Sequence, residues 1–131
     1  MYGMYDAKDT TVTVDGIYVT GFGEDMVTAE KDEDFFSVSV GAQGDVVTSE
    51  TNNGLGKVTM NIQRTSPSKA YLMSLKNRTE PFPVWVINKK LGERKGGTMA
   101  RLTSYPSIAD GVEAGDLEFI FTIFDYTAEV A

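Results

Sequence analysis

Lys57-Val58-Thr59-Met60-Asn61-Ile62-Gln63-Arg64 alternates strictly, with Val58, Met60 and Ile62 on one side and Thr59, Asn61 and Gln63 on the other. A period of two is that of a β-strand, so this stretch predicts a strand with one packed face and one face toward water or a polar partner. Directly after it, Ser66-Pro67 predicts a helix start, because a serine hydroxyl takes up free backbone amides and proline suits the first helical position. The helix is expected to reach about Lys76, with Tyr71, Leu72 and Leu75 as its apolar stripe.

Working outward, the chain is a series of short alternating segments. Thr10–Val14 and Ile17–Thr20 flank Asp15-Gly16, which supplies the positive φ angles of a type I′ turn, so a β-hairpin is expected. Phe35–Val40 and Asp45–Ser49 read as a second strand pair joined through Gly41-Ala42-Gln43-Gly44, and Asn52-Asn53-Gly54-Leu55-Gly56 then breaks the chain. Beyond the helix, Phe82–Asn88 returns to strand, and Thr98–Thr103 follows across a glycine-rich loop. Leu117–Tyr126 carries apolar residues on both faces, which predicts a central strand covered on each side. No linker, low-complexity tract or repeat divides residues 1–131, which are read as one domain.

Composition removes whole classes of function. With 131 residues the chain can bury roughly two-thirds of the surface its unfolded form exposes, enough for one core. Cysteine is absent, so disulfides, thiolate catalysis and thiolate metal ligation are excluded. Histidine is absent too, which removes the usual base of nucleophilic triads and the commonest transition-metal ligand. The first residues, Met1-Tyr2-Gly3-Met4-Tyr5-Asp6-Ala7-Lys8-Asp9, lack the basic stretch and apolar run of a signal peptide, and no apolar run approaches the ~18 residues needed to span a bilayer. A soluble protein with no membrane association is expected.

Net charge at pH 7 is −7, and it is segregated. Residues 1–56 carry −9, residues 57–104 carry +8 and residues 105–131 carry −6. A basic middle between acidic flanks can be a nucleic-acid patch, or it can be neutralised within one subunit or between neighbours. The acidic total favours self-complementarity, since a single-domain DNA binder is more often basic overall.

Several motifs that imitate chemistry fail on inspection. Ser66-Pro67-Ser68-Lys69 matches S-x-x-K, but the S-D-N element of those enzymes is missing. Gly92–Thr98 has the glycine spacing of a P-loop, yet Thr98 stands where the phosphate-binding lysine must be, so a hairpin loop is expected. Gly21-Phe22-Gly23 lacks the third glycine of a dinucleotide fingerprint, with Met26 in its place, and reads as a turn. The acidic run Glu30–Asp34 would need glycine at Ser37 to be an EF-hand loop, and reads as a solvated or partner-facing loop. Asn77-Arg78-Thr79 is formally a glycosylation sequon and reads as a helix end. Trp85, in an apolar strand, is assigned to the core ahead of a sugar-stacking role. No catalytic residue, metal ligand or cofactor is expected, and an enzyme is not predicted.

A resemblance spans nearly the whole chain. Lys8–Gly16, Gly21–Asp25, Ser39–Asp45, Gly56–Thr59, Arg64–Pro67, Gly96–Arg101 and Phe124-Asp125-Tyr126, in this order and spacing, resemble a family of phage structural proteins of contractile-tailed phages and prophages, the tail tube subunits. The resemblance implies a mainly β fold, an antiparallel β-sandwich or barrel with one flanking α-helix. It also implies that identical subunits form a ring, commonly a hexamer, with rings stacked head to tail around a channel for DNA ejection. Inner strands of all subunits would complete one large ring-shaped β-barrel, satisfying the sheet edges a lone subunit leaves open. The implied partners are other copies of the chain and the tail sheath, baseplate and tail terminator proteins. DNA would pass through the lumen without specific binding. The implied location is the tail of the virion, assembled in the host bacterial cytoplasm.

From this match and strand alternation, the lumen-facing candidates are Thr59, Asn61 and Gln63. The candidates for contacts between subunits are Asp32, Asp34, Phe35, Phe36, Asn52 and Asn53, in the connecting hairpin and its tip, opposite the basic Lys89, Lys90, Arg94 and Lys95. Other readings stay open. A small β-barrel that binds single-stranded nucleic acid would use the basic middle with aromatic stacking and show steep salt dependence. A sugar-binding β-sandwich would expose an aromatic strip. A tube initiator, a tube terminator or the tube of a phage-derived injection device would share most of the same pattern.

Overall fold

The computed structural model describes residues 6–104, 106, 108 and 115–130. The strands in chain order are β1 (Thr10–Val14), β2 (Ile17–Tyr18), β3 (Phe22–Lys31), β4 (Phe36–Val40), β5 (Val46–Glu50), β6 (Gly56–Ile62), β7 (Phe82–Asn88), β8 (Glu93–Ser104), β9 (Leu117–Ile123) and β10 (Thr127–Val130). One short helix, α1 (Lys69–Ser74), continues into a 3-10 turn at Leu75–Asn77. The main sheet is antiparallel in the order β2-β1-β7-β8-β9-β6-β3, with β10 also paired to β8, while β4 and β5 pair only with each other.

The alternation of β6 appears as expected: Val58, Met60 and Ile62 are buried and the intervening residues are not. Its inward residues share one cluster with Val12 and Val14 of β1 and Val84 and Val86 of β7, strands well removed in the sheet order. A flat sheet could not bring them together, so the sheet curls on itself around that cluster. Leu72 and Leu75 close it from the helix, and Phe82 meets Phe121 edge-on with ring centroids 6.1 Å apart. The first hairpin turns as predicted, with Asp15 at φ 53 and Gly16 at φ 79, although its second strand is only two residues long.

Ser66 starts the helical turn differently from the expectation. Its hydroxyl accepts from the Ser68 amide at 3.1 Å and donates to the Thr20 carbonyl at 2.5 Å, so it ties the helix entry to the chain after β2, and Ser68 takes the cap position.

Several expectations are overturned. Phe22 and Gly23, expected in a turn, open β3, which also takes in Glu30 and Lys31 of the acidic run, and the last apolar strand stops at Ile123 rather than Tyr126. The stretch Lys95-Gly96-Gly97 is no loop. The turn lies at Lys89–Gly92, and β8 begins at Glu93, because the glycines let β8 press against its neighbours. A Cβ on Gly96 would lie 2.0 Å from the Val84 carbonyl oxygen, and one on Gly97 would lie 2.5 Å from Ile123 and Asp125. Trp85 is not in the core: β7 alternates, with Phe82, Val84, Val86 and Asn88 buried, which turns Trp85 and Ile87 to the outer face. There the Arg94 guanidinium lies 3.8 Å above the indole ring, shielding it by a cation–π contact. And β9, though central, is covered on one side only: Leu117, Phe119, Phe121 and Ile123 point inward, while Glu118, Ile120 and Thr122 do not.

Two strands escaped the sequence reading, β3 and β10. β3 holds acidic residues along its length and carries an irregularity between Phe22 and Val27, which spoils a period-two signal. β10 has four exposed residues and no apolar face to announce it.

Candidate assembly interface

Residues directly opposite in an antiparallel pair share a face, so the register defines the surface of the sheet turned away from the core. One row reads Glu30 (β3), Lys57 (β6), Thr122 (β9), Arg101 (β8), and the next reads Thr28, Thr59 and Ile120, followed by Asn61 beside Glu118. The face is polar apart from Ile120, and its charges, Glu30 and Glu118 against Lys57 and Arg101, balance. Lys57 reaches Glu30 at 3.6 Å, and the hydroxyls of Thr103 and Thr122 lie 2.6 Å apart. Thr59 and Asn61 sit on this face; Gln63 falls just past the end of β6, where its backbone N–H donates to the Gly21 carbonyl at 2.8 Å.

This four-stranded portion has two open edges among the described residues. β3 pairs only with β6, and the Arg101–Ser104 end of β8 pairs only with β9, because the ladder to β7 stops at Phe82 opposite Ala100.

The bend between the two portions of the sheet is held by Asp125. β8 carries an extra residue where its pairing with β7 shifts, between Phe82 and Val84, and that bulge leaves the Thr98 and Met99 amides turned out of the ladder. The Asp125 carboxylate accepts from both amides, at 3.2 and 3.0 Å, and from the Thr98 hydroxyl. Partial burial pushes its pKa up, but the bonds from Thr98 and Met99 outweigh this and hold it below the ordinary value. Next to it, Tyr126 lies over Gly56, where a Cβ would come within 2.4 Å of the ring, and burial, with Glu30 nearby, pushes the phenol pKa up. The Phe124-Asp125-Tyr126 signature is thus a joint in the sheet.

β4 and β5 form an arm outside that sheet. Every residue from 36 to 50 is exposed. Phe36, Val38, Val40 and Val46 share one side, opposite Glu50, Thr48 and each other, while Ser37, Ser39 and Ser49 with Val47 form the reverse side. The turn at the tip is Gly41–Gly44. The base is latched by Lys31, whose ammonium donates to the carbonyls of Glu33 at 2.8 Å and Asn53 at 3.0 Å and lies 5.4 Å over the Phe35 ring. Phe35 is 75 % exposed and stands between two clefts of about 500 and 430 Å³.

The expected contact residues therefore divide. Asp32, Asp34, Phe35 and Phe36 gather at the base of the arm; Asn52 and Asn53 lie there too, away from the tip, with Asn53 accepting from the Leu55 amide at 2.9 Å. Lys89 and Lys90 occupy the β7–β8 turn, where Lys90 approaches Asp9 at 3.8 Å, and Arg94 and Lys95 lie at the start of β8. Sequence reasoning missed the apolar side Val38–Val40–Val46 as a surface, although its alternation with serine was the available signal.

The family model described as bacteriophage PhiTE tail tube protein matches residues 1–84. No curated protein matches the sequence. Among solved structures, the anti-feeding prophage cap (AFP tube terminating cap) superposes with a TM-score of 0.67 at 14% identity, over 100% of this chain and 95% of that one. The sheath/tube terminator of PVC, an extracellular contractile injection system, in the extended state superposes with a TM-score of 0.70 at 13% identity, over 98% of each chain. At such identities the likeness is one of fold.

Proposed function

The chain belongs to the bacteriophage PhiTE tail tube protein family, a structural component of the phage tail, and we propose that its copies close into stacked, hexameric rings around a channel through which DNA is ejected. The observation that carries this reading is the four-stranded portion β3-β6-β9-β8, with one polar face and an open strand edge at each side. Unpaired strand edges favour pairing with another chain. Joining β3 of one copy to the Arg101–Ser104 edge of the next satisfies both edges and, repeated around a ring, closes a barrel with no edge left. Thr59 and Asn61 then face the lumen together with Thr28, Thr122 and the balanced charges of Glu30, Lys57, Glu118 and Arg101. A lining with no net positive charge offers a passing polyanion no electrostatic trap. In stacking, Asp32 and Asp34 of one ring meet Lys89 and Lys90 of another, and the outer surface meets sheath and other tail proteins.

Negative-stain electron microscopy over a range of concentrations, with a light-scattering mass, tests the reading. Hollow rings or tubes of one diameter are expected, and a variant with Lys89→Glu and Lys90→Glu should stay folded and give shorter tubes. A chain that remains monomeric and binds single-stranded nucleic acid with steep salt dependence would replace the reading by the nucleic-acid one. A second reading has its own support: the two solved structures named above, matched over nearly their full lengths, are a tube terminating cap and a sheath/tube terminator. A terminator would give single rings that cap preformed tubes and never propagate.

A further inference from the structure

The arm cannot be at rest in water. A two-stranded hairpin is marginally stable alone, and this one exposes Phe36, Val38, Val40 and Val46 on a single side with nothing of its own chain over them among the described residues. Acidic groups flank that side: residues 32–50 contain Asp32, Glu33, Asp34, Asp45 and Glu50 and no lysine or arginine. Its complement must be apolar, flat and basic.

The outer face of the other portion of the sheet has that chemistry. Tyr18, Thr13 and Trp85 lie in one row across β2, β1 and β7, and Thr11, Ile87 and Arg94 lie in the next across β1, β7 and β8. Tyr18 is 68 % exposed, and Trp85 and Ile87 are half-buried. Arg94, whose guanidinium lies 3.8 Å over the Trp85 ring, has no ion-pair partner among the described residues, although Glu129 stands opposite it on β10. Lys89 and Lys90 lie in the adjoining turn, followed by the exposed Leu91; Lys95, opposite the buried Val86, belongs to the other face.

We propose that the apolar side of the arm, Phe36–Val38–Val40–Val46, docks in a second copy of the chain against the Tyr18–Trp85–Ile87 face, with the acidic flanks of the arm on Arg94 and on Lys89 and Lys90 of the adjoining turn. The inference rests on the ring-forming role proposed above and adds the surface that receives the arm. The occupant is a second copy because the two surfaces match in both respects: aliphatic and aromatic groups on each, and opposite charge around them. Aromatic residues with a stacked arginine are also the composition that concentrates binding energy at interfaces. The docking would cover the apolar side of a hairpin that has no core of its own.

The absence of native cysteine makes a clean test possible. Two single-cysteine chains, Val40→Cys and Thr11→Cys, are mixed, assembled and treated with a short bismaleimide. A cross-linked dimer containing one chain of each kind is expected, while Val40→Cys mixed with Thr59→Cys, on the opposite portion of the sheet, gives none. Independently, Arg94→Glu should raise the concentration needed for assembly on the order of tenfold or more, and adding Glu50→Lys should recover most of the loss. Tubes that form without the Val40–Thr11 cross-link, or a cross-link to Thr59→Cys instead, overturn the docking and leave the ring reading standing. A wild-type chain that stays monomeric at every concentration overturns both.

Discussion

The curled sheet and the arm are built from the same kind of strand, apolar residues alternating with polar ones, yet they solve opposite problems. In the sheet, the inward side chains of β1, β6, β7 and β9 meet one another and vanish from water. In the arm, the equivalent residues Val38, Val40 and Val46 have no second layer and remain exposed. Binary pattern therefore dictates that a side is to be covered; topology decides whether the cover comes from the same chain. Strands that find their partner at home carry the stability of the subunit, and those that do not are available to carry its assembly.

The comparison is tested most harshly in the core. Phe121→Ala removes a ring that is fully buried and packed edge-on against Phe82, and should cost about 3–5 kcal/mol, measured by urea unfolding. A loss that size is a large part of a small domain's total stability, so the urea midpoint should fall well below that of the parent. If Phe121→Ala unfolds at the same urea concentration as the parent, the sheet does not own the core assigned to it.

Next comes the joint that lets the sheet curl. Gly96 adopts φ 131 and has the Val84 carbonyl where a Cβ would stand, so Gly96→Ala should cost on the order of 1–3 kcal/mol in the same assay. Asp125→Asn keeps the shape of the side chain but gives up the charge that draws in two backbone amides and a hydroxyl, and should cost about 1–2 kcal/mol at neutral pH. The pH dependence has a definite sign. Because the folded pKa of Asp125 lies below its ordinary 3.8, its contribution is complete above that value and is lost as pH falls through the lower folded one. The difference in melting temperature between wild type and Asp125→Asn should thus be widest above pH 4 and shrink in stronger acid; a difference independent of pH would mean that the carboxylate does not hold the bulge as a charged group.

Much of this was legible from residues alone, and what was not has physical reasons. The Asp15-Gly16 turn, the alternation of β6, the limits of β7 and the pairing of the arm are local facts, set by φ preference and period. Trp85 was misplaced because an apolar strand says which residues are hydrophobic and not which side faces in; on the outer face the Arg94 guanidinium lies over the indole and covers part of it. The glycines of β8 imitate a loop because close backbone approach and turning demand the same residue. β10 was invisible because its register comes from β8 and from Asp125, neither of which is local. For the site, alternation put Thr59 and Asn61 on the polar face, but only the register of β3, β6, β9 and β8 reveals that this face is charge-balanced and bounded by two open edges.

The smallest expected effect on folding is the sharpest test of the contrast. Val38→Ser leaves the arm able to keep its ladder and removes an apolar group that is 53 % exposed, so subunit stability should change by no more than about 0.5 kcal/mol. The same valine, if its side of the arm is covered only in the assembly, is desolvated there, and losing it should cost each contact roughly 1 kcal/mol or more. Because every subunit of a ring or tube repeats the contact, a change that is nearly silent in urea should visibly raise the concentration at which rings appear. Hydrogen exchange gives the matching reading for the parent: the amides of β4 and β5 should exchange orders of magnitude faster than those of β6 and β9 in the monomer, and slow down on assembly, while those of β6 stay protected throughout. Were the arm protected already in the monomer, or Val38→Ser as costly to folding as a core substitution, the division of labour between sheet and arm would be wrong, and the arm would belong to the core it stands beside.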